Sequence, residues 1–379
     1  MRMSILIFFV SLFLILYTYL LYPLLLFLLA RFKREKPEIP VSPEDLPSVS
    51  VIIAAYNEEA VIEKKIRNAL ELDYPKDKIE ILIGSDGSTD KTDEICMQYE
   101  DQIRFHRIES RQGKSNVLNT LVPLAKNEIL LFTDANTVLQ EESLKKLTVH
   151  FADRSIGGVC GRLILESRTQ GVEAYEKAYW KYESDIKNLE SRLYSTVGAN
   201  GGIYAIRKEL FRTIPKDTII DDFWISLGIL KQGKKIYFEK EAIAKETISE
   251  TIIDEFWRKV RIGSGNLQTL LLVPVIDCPN RAFIHFAYYS HKVIRWMTPL
   301  LLIILYISIL ALSSEPIFVN MFYLSNLLIF VSSLAVILNI KNRSMNLIGY
   351  FSLFNFALLW GYIRFIMGKQ SVIWKKAAR

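Results

Sequence analysis

The chain has 379 residues, of which 50% are hydrophobic and 23% charged, with a net charge of +6 and a mean hydropathy of +0.19. This composition excludes a disordered chain, a collagen-like repeat and a small disulfide-rich protein, and it indicates membrane-embedded segments joined to a soluble domain. The 3 cysteines lack CxxC or Cys/His spacing, so they predict neither a disulfide framework nor a zinc site.

The first apolar stretch, Ile5 to Ala30, is followed at once by the cations Arg31 and Lys33. About 20 apolar residues are enough to cross the hydrocarbon core of a bilayer. A signal peptide would carry its positive charge ahead of a shorter apolar run, so we expect a retained membrane helix over 1–30. The positive-inside rule then predicts a multi-pass protein of the inner or plasma membrane whose catalytic domain is cytoplasmic.

Three more apolar stretches, at 296–312, 317–340 and 345–367, predict a C-terminal membrane region over 297–379 with about three segments. Alternation over four spans would place the C-terminal cations outside, against the positive-inside rule, so the topology of the last stretch stays open. Aromatic and cationic residues over 276–296 predict a helix that lies in the membrane interface.

The segment between the membrane parts divides into a basic, proline-rich linker, 31–47, and a soluble domain, 48–275. In the domain, predicted strands at 48–54, 79–84, 103–108 and 128–132 alternate with predicted helices at 59–72, 90–99 and 114–124. This alternation predicts an α/β domain with a mainly parallel sheet. Ligands bind beyond the carboxyl ends of such strands, so the polar residues that follow each strand are the candidates for a site.

Two common nucleotide-binding motifs are not met. Gly113-Lys114-Ser115 resembles the end of a P-loop, but Ile108 stands where that motif needs a glycine five residues before its Gly-Lys pair. No G-x-G-x-x-G sequence follows a predicted strand, which argues against a dinucleotide-binding fold.

Seven short sequences instead occur in the order and approximate spacing of family-2 glycosyltransferases. They are Ala54-Ala55-Tyr56-Asn57-Glu58, Ser85-Asp86-Gly87-Ser88-Thr89-Asp90, Gly113-Lys114, Thr133-Asp134-Ala135-Asn136, Gly198-Ala199-Asn200-Gly201, Ile220-Asp221-Asp222 and Arg258-Lys259-Val260-Arg261. With the flanking membrane segments, the chain resembles the branch of cellulose, hyaluronan, chitin and poly-N-acetylglucosamine synthases. The resemblance implies a GT-A fold, which is Rossmann-like, and transfer of a sugar from a nucleotide diphosphate, here expected to be UDP, with inversion.

The resemblance places the donor beyond the first strands. Asp86 resembles the carboxylate that accepts a hydrogen bond from the uracil, and Tyr56 and Glu58 resemble the residues around base and ribose. Lys114 could reach a phosphate or could be a solvated lysine at a helix start. A turn and a helix cap at 86–90 are the structural alternative, and capping and binding can coexist.

Asp134 and Asn136 occupy the two outer positions of the family's D-x-D motif, which holds Mg²⁺ or Mn²⁺ against the diphosphate. An asparagine carbonyl can coordinate a hard cation, but the change removes one negative charge from the site. The alternative is that Asp134 merely ends a strand.

Asp222 stands where the family carries its general base, and Asp221 would shape its pKa or contact the acceptor. Inverting transfer needs such a base because one displacement must deprotonate the attacking hydroxyl. Two carboxylates that open a helix would also stabilise its dipole, which is the alternative.

Two further motifs resemble the acceptor side and a phosphate clamp. Asn200 and Gly201 lie in a glycine-rich segment that resembles the acceptor loop, or that forms a tight turn without a ligand. Arg258 and Arg261, three residues apart on a predicted helix, could both face a diphosphate or be surface charges. Ile262 replaces the family's tryptophan, which stacks on the acceptor sugar in processive synthases, so processive synthesis is left open.

The sequence thus predicts a membrane-bound, metal-dependent, inverting hexosyl- or N-acetylhexosaminyltransferase of cell-envelope or extracellular glycan synthesis. Its expected partners are a nucleotide-sugar donor, a polysaccharide or lipid-linked glycan acceptor and membrane lipids. Nucleic acid is not an expected partner, because juxtamembrane cations explain part of the positive charge. The alternative is a non-catalytic membrane scaffold or sensor that retains the fold, which Asn136 favours.

Overall fold

The computed structural model describes residues 2–33, 42–166, 172–247, 251–273, 278, 281–338, 340 and 342–371. Residues 34–41 of the predicted linker lie outside the described residues. So do Lys341 and the C-terminal cations Lys375, Lys376 and Arg379.

The predicted first membrane helix is one helical stretch with a π-helical turn in its middle. It consists of α1 (Arg2–Leu16), the π turn Tyr17–Leu21 and α2 (Tyr22–Ala30). At 29 residues it is long and apolar enough to cross a membrane.

The sheet of the domain has eight strands in the order β3-β2-β1-β4-β7-β6-β8-β5. They are β1 (Val49–Ala55), β2 (Ile79–Asp86), β3 (Arg104–Ile108), β4 (Ile129–Asp134), β5 (Thr137–Leu139), β6 (Ile156–Glu166), β7 (Tyr204–Arg207) and β8 (Lys235–Thr247). Strands β3, β2, β1 and β4 are parallel, as are β6 and β8, whereas β7 runs antiparallel between β4 and β6. The predicted α/β class is confirmed, and the strands after β4 were not predicted.

Helices cover both faces of this sheet. Those of the domain are α3 (Ile62–Leu70), α4 (Thr92–Met97), α5 (Lys114–Leu124), α6 (Ser143–Thr148), α7 (Val172–Leu193), α8 (Asp221–Lys231) and α9 (Ile252–Leu272). In β1, Val51 and Ile53 pack in the core on one face, and Ile52 packs in the core on the other. Burial on both faces explains why β1 is a continuous apolar run rather than an alternating one.

The C-terminal region is also helical. Its elements are α10 (Arg281–Ala287), the π turn Tyr288–Val293, α11 (Ile294–Trp296), α12 (Thr298–Ala311), α13 (Pro316–Ile337) and α14 (Arg343–Ile366). Among the described residues, 3 helices are long and apolar enough to cross a membrane, or up to 4 if the pair 282–296 and 298–311, bent by 59°, forms one span. A helix is therefore present where the interfacial helix was predicted.

Candidate active site

Three predicted motifs meet at the carboxyl edge of the sheet. Strand β4 ends at Asp134, helix α5 begins at Lys114, and helix α8 begins at Asp221 and Asp222. The Lys114 ammonium lies 2.8 Å from Asp134 Oδ1 and 3.2 Å from Asp221 Oδ2. One cation thus joins the predicted metal motif to the predicted catalytic pair.

Asp222 has the electrostatics of a base that works near neutral pH. Burial, reinforced by the adjacent carboxylate of Asp221, raises the pKa of Asp222 to about 6. Lys114 and Lys187 act against this rise, as does the Phe223 N–H, which donates to Asp222 Oδ1 at 2.8 Å. A base is most efficient when its pKa lies near the working pH.

The glycine-rich segment lies against this carboxylate. A Cβ added to Gly201 would lie 3.1 Å from Asp222 Oδ2, so a side chain there would crowd the candidate base. Asn200 is buried, donates from Nδ2 to the Gly161 carbonyl at 2.8 Å and accepts from Lys187. The Asn200 side chain therefore fixes the segment, and its contact with an acceptor stays a prediction.

The two predicted clamp arginines have different surroundings. Arg261 donates to the Ile219 carbonyl at 2.9 Å, and burial lowers its pKa against the effect of the Asp134, Asp221 and Asp222 carboxylates. Arg258 is held at 2.7 Å by Glu255 and at 3.1 Å by Glu176, both of which are fully buried. Of the two, Arg261 therefore lies in the field of the acidic centre, whereas Arg258 sits in an ion-pair cluster with one carboxylate of its own helix, α9, and one of α7.

The donor set of the predicted metal motif suits a hard divalent cation. Asn136 Nδ2 donates to Glu246 Oε1 at 3.0 Å, which orients the amide and leaves its carbonyl oxygen as a possible ligand. The described residues contain no group of three or more His, Cys, Asp or Glu side chains that could hold a metal ion. Asp134 and Asn136 can therefore supply two oxygen ligands, and a bound diphosphate would have to supply others.

The residues predicted around the base lie beyond β1 and β2. The Arg111 guanidinium stacks 3.6 Å from the centre of the Tyr56 ring, and this partner of Tyr56 was not predicted. Both Asp86 oxygens accept backbone N–H groups, from Gln112 at 2.8 Å and from Gly113 at 2.7 Å. Asp86 thereby fixes the start of α5 and with it Lys114, while its predicted contact with a base stays untested.

The loops after β1 and β2 are tied together by side-chain hydrogen bonds. Asn57, with a left-handed φ of 52°, accepts from the Thr89 N–H at 2.8 Å through its side-chain oxygen. Glu58 is buried, and its N–H donates to Thr92 Oγ1 at 2.7 Å. Asp90 Oδ1 accepts from the Thr92 N–H at 3.0 Å, but the N-cap residue of α4 is Lys91, which makes no side-chain cap hydrogen bond, so Asp90 bonds the first turn from one residue before the cap.

A buried lysine that contacts residues on both sides of the metal motif was not identified in the sequence. Lys65, 1% exposed on α3, donates at 2.7 Å to both Thr133 Oγ1 and the Thr137 carbonyl. Burial lowers the pKa of Lys65 to about 7, against the opposing effect of Asp134. The available signal was its helical spacing with Ile62 and Ala69, which places a cation on the apolar face of α3.

Comparison with known proteins agrees with this geometry. Residues 50–214 match the family model described as "Glycosyl transferase family 2". A segment of 168 residues, 43% of this chain and 34% of the relative, is 35% identical to a beta-monoglucosyldiacylglycerol synthase of Nostoc sp.. A segment of 244 residues, 62% of this chain and 58% of the relative, is 24% identical to a poly-beta-1,6-N-acetyl-D-glucosamine synthase of Staphylococcus aureus.

The fold is also that of a solved glycosyltransferase. The mannosyltransferase PcManGT from Pyrobaculum calidifontis, solved with GDP-Man and Mn²⁺, superposes with a TM-score of 0.72 over 96% of this chain and 100% of that one, at 19% identity. The domain therefore has the predicted GT-A fold. The matched segments span less than two thirds of the length of the two curated relatives.

Proposed function

Since residues 50–214 belong to glycosyl transferase family 2, we propose that this chain is a membrane-bound inverting glycosyltransferase that uses a nucleotide-diphosphate sugar. The observation that carries the proposal is the convergence of Asp134 and Asp221 on Lys114 at the carboxyl edge of the sheet, with Asp222 next to Asp221 and in the field of the same lysine. This edge is where ligands of open α/β sheets bind.

In this proposal Asp222 removes the proton from the acceptor hydroxyl while the acceptor oxygen attacks the anomeric carbon of the sugar. The bond from that carbon to the diphosphate breaks, and the nucleoside diphosphate leaves. Lys114 and Arg261 are the cations placed to stabilise the charge that develops on the leaving group. Arg258 would join them only by exchanging its carboxylate partners for the diphosphate.

Asp134 and Asn136 would hold Mg²⁺ or Mn²⁺, which neutralises charge on the diphosphate when bound. Lys65 donates to the Thr133 hydroxyl and to the Thr137 carbonyl, so it holds the residues on both sides of this pair, one through its side chain and one through its backbone. The proposed base subsite comprises Tyr56, Glu58 and Asp86, with Arg111 against Tyr56.

We infer a UDP-sugar as donor, and a polysaccharide or a lipid-linked glycan of the cell envelope or extracellular matrix as acceptor. The two curated relatives carry the names of a glycolipid synthase and of a polysaccharide synthase, and the solved neighbour holds GDP-Man, so both acceptor classes and both nucleotides belong in the test. We place the protein in the inner or plasma membrane with its domain in the cytoplasm, on the charges of Arg31 and Lys33.

One observation favours a second candidate, a non-catalytic membrane scaffold that retains the fold. The second metal carboxylate of the motif is Asn136, and its amide is bound to Glu246. Such a protein would bind a nucleotide without turning over a sugar.

Nucleotide release by the purified full chain over a panel of UDP- and GDP-sugars, with Mg²⁺, Mn²⁺ or EDTA, separates these candidates. We expect metal-dependent release that Asp222→Asn lowers by about 10²- to 10⁴-fold, the contribution of a general base. Nucleotide affinity should be retained, and the exposed Asp217→Asn is the matched control. Equal nucleotide release by Asp222→Asn and wild type would contradict the assignment of Asp222 as the base. If the protein binds the nucleotide but releases none from any of the donors, the result favours the scaffold.

A further inference from the structure

The structure contains an aromatic cavity between the domain and the membrane helices. Its volume is about 400 Å³, within the usual size of a small-molecule site. It is lined by Tyr19, Ala178, Tyr179, Tyr182, Leu347, Ile348 and Phe351. These residues come from the N-terminal π turn, from α7 of the domain and from α14, and we call this space the α7 cavity.

The lining of the α7 cavity favours hydrocarbon over sugar. The Tyr182 hydroxyl already donates to the Tyr19 carbonyl at 2.9 Å, and much of the remaining wall is alkyl or phenyl. A glycan would bury several hydroxyl groups there with few partners, which is costly. Leu347 and Ile348 are 56% and 39% exposed on an apolar helix, so a lipid chain can enter from the bilayer.

Helix α7 connects the cavity to the active site. Tyr179, Glu183 and Lys187 recur every four residues and therefore share one face of the helix. Lys187 lies about 7.5 Å along the axis from Tyr182, at 1.5 Å per residue. It donates to the carbonyl of Ala199 at 3.2 Å, in the segment that carries Gly201 against Asp222.

Cations border the end of the cavity that faces the active site. The Arg295 guanidinium lies 5.5 Å from the Tyr19 ring and 5.2 Å from the Tyr182 ring. Glu183 binds Arg295 at 2.7 Å and Lys292 at 2.6 Å. With Lys187 the group holds three cations against two buried carboxylates, Glu183 and Glu190, so a polar or anionic head group is favoured at this end.

We propose, on the basis of the function proposed above, that the α7 cavity holds the hydrocarbon chain of a lipid acceptor whose nucleophilic oxygen reaches Asp222. Lipids with a hydroxyl group and lipids with a phosphate group share the chemistry required, which is a hydrocarbon chain that carries an oxygen able to attack the sugar. If the oxygen is a hydroxyl, its proton passes to Asp222 as the sugar leaves the diphosphate. If it is a phosphate oxygen, it attacks already deprotonated, and no proton is transferred.

Sugar transfer to two lipids tests the proposal, with a diacylglycerol and a polyprenyl phosphate in separate liposome preparations of the full-length protein. We expect Ala178→Trp, which fills the cavity from an exposed position, to lower kcat/KM for the lipid at least about tenfold. Release of nucleotide to water should stay within about twofold, because the donor site is untouched. Leu328→Trp, at a 46% exposed position of α13, is the matched control and should leave both rates unchanged.

Photolabelling gives a second measurement that requires no variant and no turnover. A diacylglycerol with a diazirine in one acyl chain should label peptides of α7 and α14, and Ala178→Trp should suppress that label. Three results would each overturn the proposal. The first is equal lipid kinetics in Ala178→Trp and Leu328→Trp, and the second is a rate that oligosaccharides stimulate but neither lipid does. The third is a photolabel confined to α13. No release with any donor, alongside a label in the cavity, would instead refute the proposed function and leave the lipid site standing.

Discussion

At the scale of single residues, the protonation of Asp222 governs the proposed chemistry. Burial and Asp221 raise the pKa of Asp222 to about 6, so its carboxyl group loses its proton as the pH rises through that value. A general base acts only when ionised. We therefore expect the rate of nucleotide release to rise with pH through an apparent pKa near 6 and then to level off.

The substitution Asp221→Asn tests this assignment. It removes the like charge that raises the pKa of Asp222, so the acid limb of the pH–rate profile should move to lower pH. Initial rates of nucleotide release on both sides of pH 6 measure the shift, with the exposed Asp217→Asn as control. An acid limb that stays in place in Asp221→Asn would assign it to another group.

Lys65 provides a second prediction at this scale. Lys65→Met removes the donor to Thr133 and Thr137, and leaving such buried acceptors unpaired costs about 1–3 kcal/mol. We expect a lower Tm and a raised donor KM, because the residues on both sides of Asp134 and Asn136 lose their hydrogen bonds to Lys65. The neighbouring Lys64→Met, at an exposed position, is the control. A normal Tm with an unchanged donor KM would show that the buried ammonium positions nothing.

At the scale of elements, two glycines let α9 and α14 cross in backbone contact. A Cβ on Gly361 would lie 2.2 Å from the Val260 carbonyl oxygen, and one on Gly263 would lie 2.5 Å from that of Leu358. Ser264 Oγ also donates to the Gly361 carbonyl at 2.7 Å. Because both atoms in the way are backbone, neither helix can yield by turning a side chain.

We therefore expect Gly361→Ala to separate α9 from α14, lower the Tm and weaken donor binding, since α9 carries Arg258 and Arg261. Gly228→Ala in α8 is the control, because a Cβ there meets nothing within 4 Å. It should be neutral, or stabilising by about 0.4–1 kcal/mol. Thermal unfolding and donor titration in detergent measure both effects, and equal Tm values for the two variants would contradict the close crossing.

The first half of the sheet could be predicted from the sequence, and the second half could not. Strands buried on both faces give continuous apolar runs, which is why β1, β2 and β4 were recognised. Strand β6 contains three glycines, and β8 contains the charged runs Glu239-Lys240-Glu241 and Lys245-Glu246, so neither has the composition of a buried strand. Their pairing depends on partners far away in the sequence.

The residues of the candidate site could likewise be predicted only in part from the sequence. Asp134 was found because it follows a predicted strand, and topology carries such residues to one edge of the sheet. Asp222 was found through its resemblance to the general base of the family. The partners of Arg258 could not be predicted, since Glu176 lies 82 residues away and meets it only through helix packing. Lys187 is a comparable case, because its contact with Asn200 depends on how α7 lies against the sheet.

At the scale of the whole molecule, the N-terminal helix is bonded to the domain as well as packed against it. The Tyr22 hydroxyl donates to Glu190 Oε1 at 2.7 Å, and the same oxygen lies 2.7 Å from His291 Nδ1. Thr18 Oγ1 donates to the Ser290 carbonyl at 2.8 Å, which joins the two π turns. Lys33 donates to the Leu193 carbonyl, so the basic end of this helix rests on α7 of the domain.

The last helix, α14, keeps both of its ends near the domain. Near its start, Tyr350 packs in one cluster with Val336 and with Ile252 of α9. Near its end, the Tyr362 hydroxyl donates to the Trp296 carbonyl, and the Arg364 guanidinium lies 5.6 Å from the Trp257 ring of α9. We therefore expect α14 to lie along the domain-facing side of the membrane region, although its composition alone would permit a crossing.

This arrangement would satisfy the positive-inside rule, because the cations that follow α14 would stay on the side of Arg31 and Lys33. In a variant without the native cysteines, single cysteines at Ser371 and at the exposed domain residue Glu94 should react with a membrane-impermeant maleimide from the same side. A cysteine at Ser314, between α12 and α13, should react from the opposite side, because α1 and α12 place that turn at the far end of the membrane helices. If the cysteines at 371 and 314 instead react from the same side, α14 crosses the membrane fully. The C-terminal cations then lie across the membrane from the domain.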